Sequence, residues 1–189
     1  MKITVYGGGY KKLSDREINQ CQKLGNYLAS IDAEIQTGGG TGYPYQVGKA
    51  AVLSGARVWG RSPAVNEKEH IEKFNFFLDG VTDMVYMDKT YEMPAEGLVR
   101  RMNDMQPFSD VVIALGGNWG TMYELMLSLY YKKTIILVGE FEGAVEAFSW
   151  VHDFMGKRDF NPKVHLGATI IKVKDIDAAI KEIEKCRKK

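Results

Sequence analysis

The chain has few of the residues that build disulfides, metal sites or clusters of charge. Its 189 residues include two cysteines and three histidines, and the formal net charge is +1. Cys21 and Cys186 lie far apart with no framework spacing, so we expect two reduced thiols and no disulfide. The histidines share no ligand-like spacing with these cysteines. We therefore expect no dedicated metal site and no bound cofactor.

The sequence also lacks a run of about eighteen apolar residues, the length that a membrane-spanning helix needs. The first residues, Met1-Lys-Ile-Thr-Val, carry no long apolar signal segment. A near-neutral charge gives no general attraction to nucleic acid or anionic lipid, and the basic stretch Lys181–Lys189 is typical of a solvated helix end. We expect a cytoplasmic protein with neither nucleic acid nor membrane as a partner.

Short apolar runs alternate with longer amphipathic segments along the whole chain. This pattern predicts one α/β domain over residues 1–189, doubly wound, with a mostly parallel sheet of about seven strands and helices on both faces. The predicted strands are Ile3–Tyr6, Glu34–Thr37, Arg57–Gly60, Met84–Met87, Val111–Leu115, Thr134–Val138 and Thr169–Val173. The predicted helices are Ser14–Ser30, Tyr45–Ser54, Ala95–Gln106, Thr121–Tyr131, Gly143–Phe154 and Asp175–Arg187.

The stretch Ser62–Asp79 is the hardest to interpret, and it fits either a lid or an irregular excursion. Its three phenylalanines, Phe74, Phe76 and Phe77, favour a segment that is packed against the domain. Other large apolar side chains are expected in the core or in helix docking. They are Met102, Met105, Phe148, Trp150, Val151 and Phe154.

Three glycine-rich turns follow predicted strands: Gly7–Gly9, Gly38–Gly42 and Gly116–Gly117. The carboxyl ends of parallel strands share one edge of a sheet, so we expect these turns to lie together. No Gly-Lys-Ser/Thr sequence is present, and neither of the first two turns has the third glycine of the dinucleotide fingerprint. A P-loop enzyme and a dehydrogenase are therefore not indicated. A domain with structural glycine turns and no ligand remains an alternative.

The third turn joins an apolar strand to a helix within the stretch Ser109–Glu124. Free N–H groups and the helix dipole make such a junction a phosphate site, and the predicted donors are the amides of Gly117, Gly120 and Thr121 with the Thr121 hydroxyl. Glu124 follows within about one helical turn of the bound anion. The alternative is that Thr121-Met-Tyr-Glu124 is only a capping box at a helix start.

Three features together resemble the LOG-like proteins, for which the name lysine decarboxylase was long used in error. They are Gly117-Asn-Trp-Gly-Thr-Met-Tyr-Glu124, Gly38-Gly-Gly-Thr-Gly42, and Arg101 nine residues before Asp110. The resemblance covers roughly residues 1 to 140. It implies a Rossmann-like fold without the dinucleotide fingerprint, and a homodimer. It also implies a nucleoside 5′-monophosphate phosphoribohydrolase, an N-glycosidase that releases the free base and ribose 5-phosphate.

The family pattern is Pro-Gly-Gly-x-Gly-Thr-x-Glu-Glu, and this chain departs from it at three positions. Gly116, Asn118 and Tyr123 stand where the pattern has proline, glycine and the first glutamate, whereas Glu124 keeps the second. These differences resemble a neighbouring branch of the superfamily that includes the molybdenum-cofactor carrier proteins. Two functions therefore stay open: a nucleotide hydrolase, or a non-catalytic carrier or sensor of a phosphorylated heterocycle.

The predicted catalytic residues are Glu124 and Arg101. Arg101 is preferred to its neighbour because Arg100 has Glu96 and Asp104 four residues away on either side, the spacing of a solvated ion-pair face. The resemblance selects Arg101 as well. Trp119 and Tyr43 either stack on a base or serve packing. The predicted phosphate- and nucleotide-binding residues are Gly39, Gly40, Thr41, Gly42, Gly117, Asn118, Trp119, Gly120 and Thr121, with further loop contacts from Gly8, Gly9 and Tyr43.

Overall fold

A computed structural model describes residues 1–9, 12–156 and 167–188, and strands and helices alternate along these ranges. The strands are β1 (Lys2–Gly7), β2 (Glu34–Thr37), β3 (Val58–Arg61), β4 (Asp83–Val85), β5 (Val111–Leu115), β6 (Thr134–Val138) and β7 (Thr169–Val173). The helices are α1 (Asp15–Ser30), α2 (Gly42–Leu53), α3 (Glu67–Glu72), α4 (Pro94–Met105), α5 (Trp119–Tyr130), α6 (Ala144–Gly156) and α7 (Ile176–Arg187). One 3₁₀ turn, Gln106–Phe108, follows α4.

The strands form one parallel sheet in the order β4-β3-β2-β1-β5-β6-β7. In the centre, Ile3 of β1 lies opposite Ile35 of β2 on one side and Val111 of β5 on the other. The chain builds outward from β1 through β4, returns to pair β5 with β1, and then builds outward in the other direction. The sheet order therefore reverses between β1 and β5, which is the point where open α/β sheets bind ligands.

Helices cover both faces of the sheet, as the alternating pattern predicted. On one face, Ile3 and Val5 pack with buried side chains of α1, α2 and α7, such as Leu24, Val47 and Ile183. On the other face, the core joins β5 and β6 to α4, α5 and α6; its buried members include Met105, Val112, Ala114, Leu125 and Phe148. The predicted doubly wound α/β fold is confirmed. No helix in the described ranges is both long enough and apolar enough to cross a membrane.

Several predicted helix and strand boundaries are wrong by a few residues. The helix predicted at Thr121–Tyr131 begins at Trp119, because Asn118 is its N-cap residue. The helix predicted from Tyr45 begins at Gly42, and the strand predicted at Met84–Met87 is Asp83–Val85. The start of α1 follows its sequence signal, since Ser14 and Glu17 form a complete capping box.

The segment Ser62–Asp79 contains the short helix α3, whose N-cap Asn66 accepts a hydrogen bond from the Glu69 amide. Phe76 is buried, whereas Phe77 is 51% exposed, so the expectation of packing is only partly right.

The docking prediction for α6 is also only partly right, because Phe148 is buried but Trp150 is 65% exposed. Residues two apart on a helix point in nearly opposite directions, so one helix face cannot bury both side chains.

Candidate functional site

A cleft of about 310 Å³ opens at the carboxyl ends of β1 and β2, beneath the start of α5. This position is the reversal point of the sheet order, and the volume suits a small ligand. The lining residues come from β1, from the turns after β1 and β2, from the segment after β3, from Asn118 beside the third turn, and from α2, α4 and α5. They are Val5, Tyr6, Gly7, Gly9, Gly38, Gly40, Thr41, Pro44, Phe76, Leu98, Arg101, Met102, Asn118, Gly120, Thr121 and Glu124.

The first two glycine turns pack backbone against backbone. The amide of Tyr43 donates to the carbonyl of Gly8 at 3.0 Å, and the Thr41 hydroxyl donates to the carbonyl of Gly9. Gly42 has φ +76°, and a Cβ atom there would lie 1.8 Å from the Gly8 oxygen. Only glycine can occupy this position without moving one turn away from the other. The contact brings the turns after β1 and β2 to the same side of the cleft.

The third turn leaves the start of α5 open toward the cleft. The first helical hydrogen bond runs from the Met122 amide to the Asn118 carbonyl at 2.9 Å. Helix geometry therefore gives the amides of Trp119, Gly120 and Thr121 no partner within the helix, and Gly120 and Thr121 line the cleft. The capping-box alternative for Thr121 and Glu124 is wrong, because Thr121 is the third residue of α5 and not its cap.

Glu124 and Arg101 meet inside the cleft. Arg101 Nη2 lies 3.4 Å from Glu124 Oε1, and Arg101 Nη1 donates to the Gly38 carbonyl at 3.2 Å. Burial raises the pKa of the Glu124 carboxyl from 4.5 to about 7, and the charge of Arg101 offsets only part of that increase. Arg101 Nε is buried without a hydrogen-bond partner in the described part of the chain. The site thus holds a carboxyl group that titrates near neutral pH beside an incompletely bonded guanidinium.

The two neighbouring arginines of α4 have different surroundings. Arg100 is exposed and pairs with Asp104, with Arg100 Nε 3.1 Å from Asp104 Oδ2. Arg101 points inward, and its side chain is largely buried. Adjacent helical residues point about 100° apart. Because Arg100 points to solvent, where it pairs with Asp104, Arg101 points toward the sheet. Of the two, Arg101 is therefore the one that lines the cleft.

A buried polar network supports α5 beneath Glu124. Gln106 Nε2 donates to the Tyr6 hydroxyl at 3.0 Å, and Ser128 Oγ donates to the carbonyl of Glu124 at 2.8 Å. Ser128 also lies 3.1 Å from Gln106 Oε1, which links the two contacts. Burial raises the pKa of Tyr6, so its hydroxyl stays protonated near neutral pH. The network couples the backbone at Glu124 to β1 at the floor of the cleft.

Some residues predicted to contact a ligand lie outside the cleft. Tyr43 is buried against Phe141, with ring centroids 4.9 Å apart, and its hydroxyl donates to Glu17. Trp119 is 87% exposed at the start of α5 and does not line the cleft. Four of the predicted glycines, Gly8, Gly39, Gly42 and Gly117, shape the turns from behind the lining. The predicted lining residues that the structure brings together are Gly9, Gly40, Thr41, Arg101, Asn118, Gly120, Thr121 and Glu124.

The sequence analysis did not single out Tyr6, Pro44, Phe76 or Leu98 as site residues, although all four line the cleft. Met102, expected only in the core, lines it as well. No local motif marks these positions, because each reaches the cleft through tertiary packing. Within the described ranges, no three His, Cys, Asp or Glu side chains form a group that could hold a metal ion.

The parallel sheet and the cleft at its reversal point define a Rossmann-like α/β protein. The chain belongs to the SLOG cluster4 family, whose model matches residues 1–164. This match confirms the resemblance to the LOG-like proteins. No curated protein matches the chain.

Three solved structures share the fold at low sequence identity. The protein TM1055 is 22% identical, with a TM-score of 0.78 over 97% of this chain and 98% of that one. The molybdenum cofactor carrier protein of Chlamydomonas reinhardtii is 21% identical, with a TM-score of 0.68 over 100% and 99% of the two chains. The molybdenum cofactor binding protein of the phototrophic bacterium Rippkaea orientalis is 20% identical, with a TM-score of 0.72 over 98% and 96%.

Proposed function

We propose that the protein binds a nucleoside 5′-monophosphate and hydrolyses its N-glycosidic bond to the free base and ribose 5-phosphate. The observation that carries the proposal is the buried carboxyl of Glu124, which lies beside Arg101 in a cleft that also contains the open start of α5. The amides of Gly120 and Thr121 are suited to a phosphate group, since the helix dipole and free N–H groups both favour an anion. At a coarser level, the proposal is a binding site for a nucleotide or a phosphorylated heterocycle.

In the proposed reaction, water adds to the anomeric carbon of the ribose while the bond from that carbon to the base nitrogen breaks. The Glu124 carboxylate accepts a proton from the attacking water, and the leaving base nitrogen takes up a proton from solvent; Glu124 then releases its proton to solvent, which restores the carboxylate. Positive charge develops on the sugar ring, which a nearby carboxylate stabilises. Arg101 holds the carboxyl of Glu124 in place and favours its ionised form. Because the carboxylate is the active form, hydrolysis should increase as the pH rises through about 7.

The test is release of free base from AMP, GMP, CMP and UMP, measured by chromatography at pH 8. We expect Glu124→Gln to lower the rate by about 10²-fold or more, the usual contribution of a general base. Arg101→Met should also lower it strongly, whereas the matched variant Arg100→Met should change it little because its ion pair is exposed. Full activity in Glu124→Gln would contradict the proposed mechanism.

The second candidate is a non-catalytic carrier or sensor of a phosphorylated heterocycle. Two observations favour it. Tyr123 stands where the family pattern has its first glutamate, and its hydroxyl lies 3.4 Å from Asn103 Nδ2. Two similar structures are of proteins named for carrying or binding the molybdenum cofactor. Glycosidases generally use two carboxyl groups, whereas Glu124 is the single acid among the cleft-lining residues that the structure describes. Tight nucleotide binding without base release in wild-type protein would select the carrier.

We also propose a homodimer that forms through the outer surface of α5 and α6. Glu124 is the sole charged residue in Trp119–Tyr130, and it faces the cleft. The outer surface of α5 therefore carries large apolar and aromatic side chains without charge, among them the 61%-exposed Tyr130. On α6, Trp150 and Phe154 stack with ring centroids 5.1 Å apart and are exposed. Such a face can pack on its own copy in a two-fold interface.

A further inference from the structure

The cleft is lined by two sets of side chains of different chemistry. One set, here called the polar wall, consists of Arg101 on α4 with Thr121 and Glu124 on α5. The other, here called the apolar wall, consists of Phe76, Leu98 and Met102. Phenylalanine and leucine have no hydrogen-bonding groups, and the methionine sulfur is only a weak acceptor. The apolar wall can therefore contact a ligand by shape and dispersion but cannot recognise a pattern of donors and acceptors.

Phe76 is held in a fixed position by its own segment. Its amide donates to the carbonyl of His70 at 3.3 Å, and its ring packs edge-on against His70 and stacks on Phe74, at centroid distances of 5.3 and 5.7 Å. His70 is itself buried, with Nδ1 2.8 Å from the Ser62 hydroxyl. These contacts give the segment Ser62–Asp79 a structural task, which is to support one wall of the cleft.

The Phe76 ring also contacts the second glycine turn. A Cβ atom on Gly40 would lie 3.4 Å from Phe76 Cζ, so the ring packs directly against that turn. From the α4 side, Leu98 is partly exposed and Met102 is buried. The apolar wall thus joins α4 to the segment after β3. On α4 it adjoins Arg101, whereas Thr121 and Glu124 lie on α5.

We infer that the apolar wall is the subsite for the heterocycle of the phosphorylated ligand, and that the site selects for the phosphate and not for the identity of the base. This inference rests on the proposed function, which assigns the polar wall to phosphate and sugar. The remaining surface then receives the least polar part of the ligand. A site built from hydrocarbon discriminates between substrates that differ by one methylene group by roughly 10- to 200-fold, whereas a site that hydrogen-bonds its substrate reaches about 10⁴-fold or more. Adenine, guanine, cytosine and uracil should therefore be accepted with similar affinities.

The first measurement is calorimetric titration of Glu124→Gln protein, used to prevent turnover, with AMP, GMP, CMP and UMP. We expect the four dissociation constants to fall within roughly 100-fold of one another, the range open to an apolar contact. A wider spread with one preferred base would overturn the inference, because it requires hydrogen bonds to the base that the apolar wall cannot supply.

The second measurement locates the subsite by comparing AMP with ribose 5-phosphate, which lacks the base. In the same background, Leu98→Ala and Phe76→Leu should weaken AMP binding by roughly 5-fold, within the range for a lost aromatic or apolar contact, and leave ribose 5-phosphate unchanged. The controls Val99→Ala and Phe77→Ala alter exposed neighbours outside the cleft and should affect neither ligand.

Equal weakening of both ligands, or no weakening of AMP, would overturn the assignment of the apolar wall. Thermal melts of each variant separate a loss of folding from a loss of contact, and Phe76→Leu retains apolar volume for that reason. If unaltered protein binds neither AMP nor ribose 5-phosphate, the proposed function itself fails. If it binds both and their ratio does not move, the proposed function stands and this inference alone is lost.

Discussion

Glu124 is the cleft residue whose protonation is shifted into the neutral pH range. Its side chain is nearly buried, and its pKa is raised to about 7 because Arg101 compensates for only part of the cost of burial. Near neutral pH the group is thus a mixture of acid and carboxylate, the condition under which a side chain can both take and give a proton. Such a burial cost must also appear in the stability of the protein.

The pH dependence of folding tests this cost directly. The unfolded carboxyl ionises near pH 4.5, whereas the folded one keeps its proton to about pH 7. Between these values the folded state binds more protons at Glu124, so the contribution of this carboxyl to the free energy of unfolding falls as the pH rises and is constant above about 7. Relative to Glu124→Gln, wild-type protein should lose on the order of 3 kcal/mol between pH 4 and pH 8.

Urea denaturation of both proteins at pH 4, 6 and 8 measures the difference. Glu92→Gln is the matched control, since Glu92 is an exposed glutamate on a loop and should show the pH dependence of the wild type. A difference between wild type and Glu124→Gln that does not change with pH would show that the carboxyl has an ordinary pKa.

At the residue scale, local spacing predicted some features and could not predict others. The i, i+4 pairing of Arg100 with Asp104 is visible in the sequence, and it identifies Arg100 as the exposed arginine and Arg101 as the candidate site residue. The raised pKa of Glu124 is not visible, because it depends on the burial of α5 against the sheet. Phe76 and Tyr6 reach the cleft through contacts with residues distant in the chain, which no local pattern encodes.

At the scale of helices, strands and turns, the sequence predicted which elements exist better than it predicted where they begin. The helix predicted from Thr121 begins two residues earlier, at Trp119, and Asn118, a residue of a type that caps helices, is its N-cap. The Asn118 side chain makes no capping hydrogen bond. The extra turn brings the amides of Gly120 and Thr121 into the first turn of the helix, where they face the cleft.

The contact between the first two glycine turns gives a prediction at this scale. Gly42 and Gly55 both have positive φ, but a Cβ atom at Gly42 would strike the Gly8 carbonyl, whereas at Gly55 it would meet open space. Gly55→Ala should cost about 1 kcal/mol from backbone strain alone. Gly42→Ala should cost at least about 3 kcal/mol, because the two turns must also separate. Chemical denaturation compares the two variants, and equal costs would contradict a tight contact between the turns.

At the scale of the whole molecule, the apolar outer surface of α5 and α6 predicts dimerisation. Tyr130→Glu and Trp150→Glu place charge on that surface and should convert a dimer to monomers, because burying an unpaired charge is strongly unfavourable. Leu53→Glu is the control, since Leu53 is exposed on α2, on the opposite face of the sheet. Sedimentation velocity measures the mass of each protein. A monomeric wild type, or a dimer unaffected by both substitutions, would exclude this interface.

The sequence predicted the fold class because the alternation of apolar strands with amphipathic helices is a local property. It did not give the order of the strands, since β1 pairs with β5 across more than a hundred residues of chain. That single pairing creates the reversal point, so the position of the cleft is a property of the whole chain. The glycine turns indicated the correct edge of the sheet because parallel strands end at the same side.

The strand at one end of the sheet, β4, has a further consequence for aggregation. It has only three residues, and its first, Asp83, is paired with Arg57. A short edge strand that begins with a charged residue offers another chain few backbone groups to pair with. Such edges commonly protect proteins against edge-to-edge pairing of their sheets. At this end of the sheet, β4 therefore disfavours the addition of strands from other molecules, the step by which fibrils grow.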